Sequence, residues 1–389
     1  MGREGEVVEQ LLPGLYRRHP EILVRVQQVP WSAAHEKLLT AFVGDSMPDV
    51  FQIGNTWLPE LVALGAVEPV DSTLVKEADL DDYFPGILDT NRIDGTLWAL
   101  PWYVDTRLLF YRNDLLAEAG YNDPPRSWSA WMVMMQAVKQ RAGANRFALF
   151  APLHEWQTPV ILALQRGADL LRERDQYGNF ASEPFRSAFN FYVDLFRRGL
   201  APATGDSQVA NVYSDFAAGY FTFYVTGPWN LGELQARLPA GLNERWTTAP
   251  MPSPDEHYPG VSLAGGSSLA VFRGSHCKEA ARQVVAFLSE PAQQSEFYRL
   301  TGDLPARRQA WDGDVLRQNR RAQAFRDQLQ SLRSTPKIPE WERIADKIML
   351  YAERAVRGDM TTDAALVALD RDVDTILEKR RSMLRQHGE

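Results

Sequence analysis

A single cysteine, Cys277, among 389 residues excludes an internal disulfide and any paired-thiol metal or redox motif. No apolar run approaches the roughly 18 to 20 residues that span a bilayer. The opening residues MGREGEVVEQLLPGLYRRHP carry no apolar core of a secretory signal. Positive charge is not in excess: 42 Lys and Arg against 50 Asp and Glu give a formal net charge of −8, which offers nothing to nucleic acid or an anionic membrane. The histidines, at 19, 35, 154, 257, 276 and 387, form no HExxH and no i,i+4 pair, so a zinc site lacks its ligands. There is no P-loop, no GxSxG elbow and no GxGxxG after a strand, because Gly265-Gly266 lacks the rest of that fingerprint. No cofactor and no metal are expected.

What is present is length and aromatics. A chain this long favours two domains over one core, and 11 tryptophans exceed what packing alone needs. Val7, Val8, Leu11, Leu12 and Leu15 fall at helical spacing, Ile22–Val26 reads as a strand, Ala34, Leu38, Leu39 and Phe42 as a helix face ended by Gly44, and 49–53 as a second strand. Strand, helix, strand implies a parallel sheet with right-handed crossovers. Strands follow over 97–102, 107–111, 147–150, 220–225, 246–251 and 265–272. Ser127, Ser182, Ser275 and Thr362 are placed to cap helices, the second of which carries Phe185, Phe189, Tyr192 and Phe196 on its core face. Leu366, Leu369, Val373, Ile376 and Leu377 form the buried stripe of the last.

Aromatics next to lone polar groups recur where strands end or helices begin: Asn55-Thr56-Trp57, Trp102-Tyr103-Val104-Asp105, His154-Glu155-Trp156, Gly227-Pro228-Trp229-Asn230 and Pro339-Glu340-Trp341. Ligands of open α/β sheets bind at such ends. Aromatic faces beside carboxylate and amide groups suit a sugar, which is apolar on its C–H face and hydroxylated at its rim.

The segments SMPDVFQIGNTWLPELVALGAVEPVDSTL (46–74), GTLWALPWYVDTRLLFYRNDLLAEAG (95–120), PRSWSAW (125–131), GPWNLGEL (227–234), GGSSLAVFRGSHCKEAARQVVAFLSEPAQQSEF (265–297), LPARRQAW (304–311) and PEWERIADKIMLYAERAVRGDMTTDAALVALD, in that order, resemble a known family. It is the family 1 extracytoplasmic solute-binding proteins of carbohydrate ABC transporters, with the maltose- and trehalose-binding proteins among its members. The resemblance implies a two-lobed α/β clamshell of the periplasmic-binding-protein type, each lobe a mixed sheet flanked by helices. The N-lobe would comprise 1–112 and 267–309, the C-lobe 113–262 and 310–389, with hinge crossings near 112, 263 and 310. Sugar would bind between the lobes, closure would present it to the transmembrane permease subunits of the importer, and the protein would act as a periplasmic or extracytoplasmic monomer. Relatives carry a leader and a first strand ahead of the loop that MGREGE resembles; neither is in this sequence, which implies a start truncated or placed too far downstream.

By the same resemblance, sugar hydroxyls would be held by Glu4, Asn55, Asp105 and Arg307, with Tyr103 and Trp229 covering apolar faces and Gly265 and Gly266 letting backbone approach the ligand. Ser267 and Ser268 stand where some relatives carry an aromatic. Trp57 either touches ligand or packs on the sheet edge, and Trp156 and Trp341 either stack on ligand or pack their lobe. Arg107 is expected to pair with Asp105 or face solvent, and either Arg307 or the adjacent Arg308 points inward. The best match is an α-glucoside such as trehalose or maltose. Two alternatives remain: a solute-binding protein for another polyol or glycerol phosphate, and a glycoside hydrolase using Asp105 and Glu155 as its carboxylate pair.

Overall fold

The apolar face at the start of the chain folds as the periodicity dictates. Val7, Val8, Leu11, Leu12 and Leu15 are the buried residues of the helix Glu4–Arg18. The computed structural model describes residues 4–204, 211–255 and 257–386. They part into two compact units, one of Met1–Thr106, Pro228–Gly232 and Ala264–Gln323, the other of Arg107–Gly227, Glu233–Leu263 and Ala324–Glu389. The chain therefore passes from unit to unit after Thr106, Gly227, Gly232, Leu263 and Gln323. Trp229 lies with the first unit, and the stretch 310–323 also stays there.

The first unit is built on a three-stranded sheet in the order Val50–Gly54, Gly265–Val271, Leu100–Asp105. Both pairings are antiparallel, not parallel as strand-helix-strand implied. The difference arises at Ile22–Val26, which joins no ladder. Ile22, Val24 and Val26 are half-buried and alternate with exposed Leu23 and Arg25, so the segment has the pleat of a strand without a paired strand among the described residues. Its backbone is met instead by the Tyr16 hydroxyl, 3.4 Å from both the N–H and the carbonyl of Val24. The helix Trp31–Val43 packs Ala34, Leu38, Leu39 and Phe42 against a core of Phe51, Ile53, Leu58, Leu61 and Val67. It ends at Gly44, as expected.

The second unit holds a four-stranded sheet in the order Thr247–Ala249, Leu108–Tyr111, Phe221–Thr226, Phe147–Phe150. Its pairings are antiparallel except the last, which is parallel. Ser127 caps the helix Trp128–Ala142 by accepting from the Ala130 N–H at 3.2 Å. Phe185, Phe189, Tyr192 and Phe196 lie buried along Glu183–Arg197. Two expected caps move. Thr361 rather than Thr362 caps Thr362–Ile376, since its hydroxyl reaches the Ala364 N–H. Ser182 turns its hydroxyl back to the Asn179 carbonyl at 2.6 Å, and Ser275 accepts from the Cys277 N–H just ahead of its helix.

Candidate functional site

The strand Leu100–Asp105 places alternate side chains on opposite faces and ends in a half-buried carboxylate, Asp105. On one side it pairs with Gly265 and Gly266, opposite Asp105 and Val104 respectively. Here glycine is required on two counts. Gly266 has φ +147°, and a Cβ there would come 2.4 Å from the Tyr103 carbonyl oxygen; one on Gly265 would meet the Asp105 carbonyl at 2.8 Å. The close approach is thus of strand to strand, and it leaves both positions half-buried beside Asp105.

Tyr103 points into the unit. It is 5% exposed, lies near the Trp102 and Phe297 rings, and its hydroxyl accepts from Gln52 Nε2 at 2.7 Å. Burial, then the carboxylates of Asp303 and Glu4, push its phenol well above the usual range, so it stays a neutral hydroxyl. Glu4, expected in a loop, is the first residue of the helix Glu4–Arg18. It is half-buried, and its charge acts on both Tyr103 and Asp303.

On the other side of this strand lies Asp303, which sequence reasoning missed. The Val104 N–H donates to the Leu304 carbonyl at 2.8 Å, and Tyr103 bridges antiparallel to Pro305. That register carries Asp303 opposite Asp105. Asp303 is only 6% exposed, and burial, reinforced by Glu4 and Asp105, pushes its carboxyl up to about 7. The one local signal was Gly302, left-handed at φ +85°, which ends the helix Pro291–Thr301 and turns the chain towards the strand.

Asn55 and Arg307 are brought inward and committed to the first unit's own structure. The Asn55 amide donates to Thr90 Oγ1 at 2.7 Å, its carbonyl oxygen accepts from Ser268 Oγ at 2.9 Å, and its backbone N–H reaches the Gly266 carbonyl. Arg307 Nε donates to Asp82 Oδ2 at 2.7 Å, Nη1 reaches the carbonyls of Ala78 and Ser289, and the guanidinium lies over Tyr83. Arg308 is the exposed member of the pair and donates to the Asp81 carbonyl. Trp57 is buried in a stack with Trp31, centroids 4.3 Å apart, and with His35, whose Nε2 is 2.8 Å from Glu60. Trp229 is half-exposed at the start of Trp229–Arg237.

In the second unit Trp156 meets Trp341 edge to face at 5.2 Å, and Trp341 is fully enclosed by the unit's core. Arg107 does not face solvent, as one of its two expected placements had it: it is buried, 3.6 Å from Glu155. Glu155, nominated as the hydrolytic partner of Asp105, lies 3.6 Å from the Arg107 guanidinium in the second unit.

Two α/β units carrying acceptors and aromatics at strand ends define a binding protein for a small polar solute. The chain belongs to the family described as bacterial extracellular solute-binding protein, whose model matches residues 2–295. Members bind solutes for ABC transporters and are not enzymes. The structure superimposes with a TM-score of 0.94 on the sugar-binding protein MalE from the phytopathogen Xanthomonas citri, 46% identical over 99% of this chain and 98% of that one. The diacetylchitobiose binding protein DasA of Streptomyces coelicolor is 25% identical over 88% of this chain and 80% of its own. The galactooligosaccharide-binding protein of Bacillus subtilis is 22% identical over 85% and 77%.

Proposed function

We propose that this chain is the sugar-binding component of a carbohydrate ABC importer, taking a disaccharide or short oligosaccharide outside the cytoplasm and passing it to the membrane permease. An α-glucoside such as trehalose or maltose is the favoured ligand. The observation that carries the reading is the end of the strand Leu100–Asp105, where a half-buried carboxylate stands beside two half-buried glycines that add no side chain of their own. Glu4 adds a second acceptor and Trp229 a half-exposed ring. Charge-assisted hydrogen bonds from neutral hydroxyls are stronger than neutral pairs and need no counter-charge on the ligand. Support also comes from the relatives, three of which are named for sugars.

Asn55, Arg307, Trp57 and Trp341 act in this reading as supports, because their polar atoms or ring faces are spent within their own units. Asp105→Ala is expected to weaken the binding of trehalose or maltose at least tenfold in calorimetric titration, the loss of one charged hydrogen-bond acceptor. Unchanged affinity in that variant would remove Asp105 from the site.

A further inference from the structure

The strand Leu100–Asp105 carries one residue more than its neighbour Gly265–Val271 pairs. Leu100 and Pro101 face Leu269 and Ser268, but Tyr103, Val104 and Asp105 face Ser267, Gly266 and Gly265, so Trp102 is left over as a bulge. An unbroken ladder would have set Val104 against Gly265. The extra residue sets Asp105 there instead, and because side chains alternate along a strand, a slip of one residue decides which of them faces which way. Pro101 has no N–H for the ladder, and its buried carbonyl accepts from Gln294 Nε2 at 3.1 Å. Gln294 is 1% exposed on the helix Pro291–Thr301, and its Oε1 accepts from the Ala306 and Arg307 N–H groups at 2.9 and 3.0 Å. That segment lines the strand's other edge, where the Val104 N–H bonds Leu304. About one turn further along the same helix, the Phe297 ring lies 4.3 Å from that of Trp102.

We infer that Gln294 is a positioning residue of the sugar site: by tying the Pro101 carbonyl to the backbone of Ala306 and Arg307, it fixes the bulge and with it the place of Asp105. The inference rests on the reading of Asp105 as a sugar acceptor and deepens it. One buried amide serves backbone groups of two segments, at the point where the strand departs from regular pairing. Without the donated hydrogen bond the Pro101 carbonyl is buried and unmet, and a shift of the bulge that relieves it carries Asp105 along. A binding group holds its partner only within roughly 0.5 Å of the productive position, so a small displacement of the carboxylate costs affinity.

Titration calorimetry with trehalose and maltose on the intact chain, Gln294→Glu, Asp105→Ala and the double variant tests it. Gln294→Glu keeps the shape of the side chain and its acceptor for Ala306 and Arg307, but brings no donor to the Pro101 carbonyl. Expected is binding weaker by about fivefold or more in Gln294→Glu, and no more than about a twofold further loss when Asp105 is already alanine, since nothing is then left to position. A merely structural role would give the same factor in both backgrounds, so losses that multiply would overturn the inference and leave the sugar reading intact. Full affinity in Gln294→Glu would overturn it as well. Unchanged affinity in Asp105→Ala would remove Asp105 from the site and the inference with it, and no response of the intact chain to either disaccharide would overturn both readings before any variant is made. If Gln294→Glu does not fold, Phe297→Leu, which loosens Trp102 from the same helix, takes its place in the cycle with the same expected and contrary results.

Discussion

Replacing Asp82 by alanine is expected to cost about 3–5 kcal/mol of stability, the range for removing one partner of a buried ion pair. The Asp82 and Arg307 side chains are 6% and 5% exposed, and their Nε–Oδ2 contact is 2.7 Å. Asp82 also accepts the Gln309 N–H at 3.0 Å, so its loss leaves a buried guanidinium without its counter-charge and a part-buried amide without its acceptor. Arg307→Ala strands the Asp82 carboxylate and the Ala78 and Ser289 carbonyls, and is expected to fall in the same range. The two residues share one network, so the double variant should cost much less than the sum of the two. Chemical denaturation of the three variants checks this; loss below about 1 kcal/mol in either single variant, the level of an exposed pair, would contradict it.

Asp303 is expected to make the protein less stable as pH rises. Its carboxyl is held up to about 7 in the folded chain by burial first and by Glu4 next, against about 3.9 when unfolded. Between these values the folded state keeps a proton that the unfolded state has lost, so stability is full below about pH 4 and drains away up to about pH 7. Three pKa units correspond to about 4 kcal/mol. Asp303→Asn cannot titrate, so relative to the variant the unaltered protein should lose that amount between pH 4 and pH 8. Carboxylates other than Glu4 and Asp105, which are coupled to Asp303, titrate alike in both and cancel in the difference. Denaturation midpoints of the pair across this range measure it, and parallel pH profiles would show that Asp303 ionises like a solvated aspartate.

The parts of this molecule legible in its sequence are those set by short-range chemistry. Val7 to Leu15 named a buried helix face, Ser127 a cap, Phe185 to Phe196 a core stripe and Gly44 a stop, because each rests on 3.6-residue periodicity or one hydrogen bond nearby. Ile22–Val26 shows where that stops: its alternation survives in the burial pattern, yet a ladder needs a partner that no local rule supplies. The antiparallel union of Val50–Gly54 with Gly265–Val271 joins residues two hundred apart, and nothing in either segment states the pairing.

The site follows the same division. Asp105 and the glycine pair were visible as residue types at strand ends, and their juxtaposition is a matter of register. Arg307 and Asn55 were expected among the ligand groups; the structure engages them with Asp82, Thr90 and Ser268, partners that no local rule in the sequence states. Asp303 was invisible for the converse reason. An aspartate after a helix-ending glycine is ordinary turn chemistry until the strand beside it is known.

The most direct test of the central claim is the unfolding midpoint of the intact chain with trehalose, maltose, sucrose, cellobiose and sn-glycerol 3-phosphate in turn, each ligand recovered and analysed afterwards. Binding to the folded state alone raises the midpoint by mass action. The account predicts a clear upward shift with an α-glucosyl disaccharide recovered unchanged. No shift with any sugar, or steady release of monosaccharide, would contradict it.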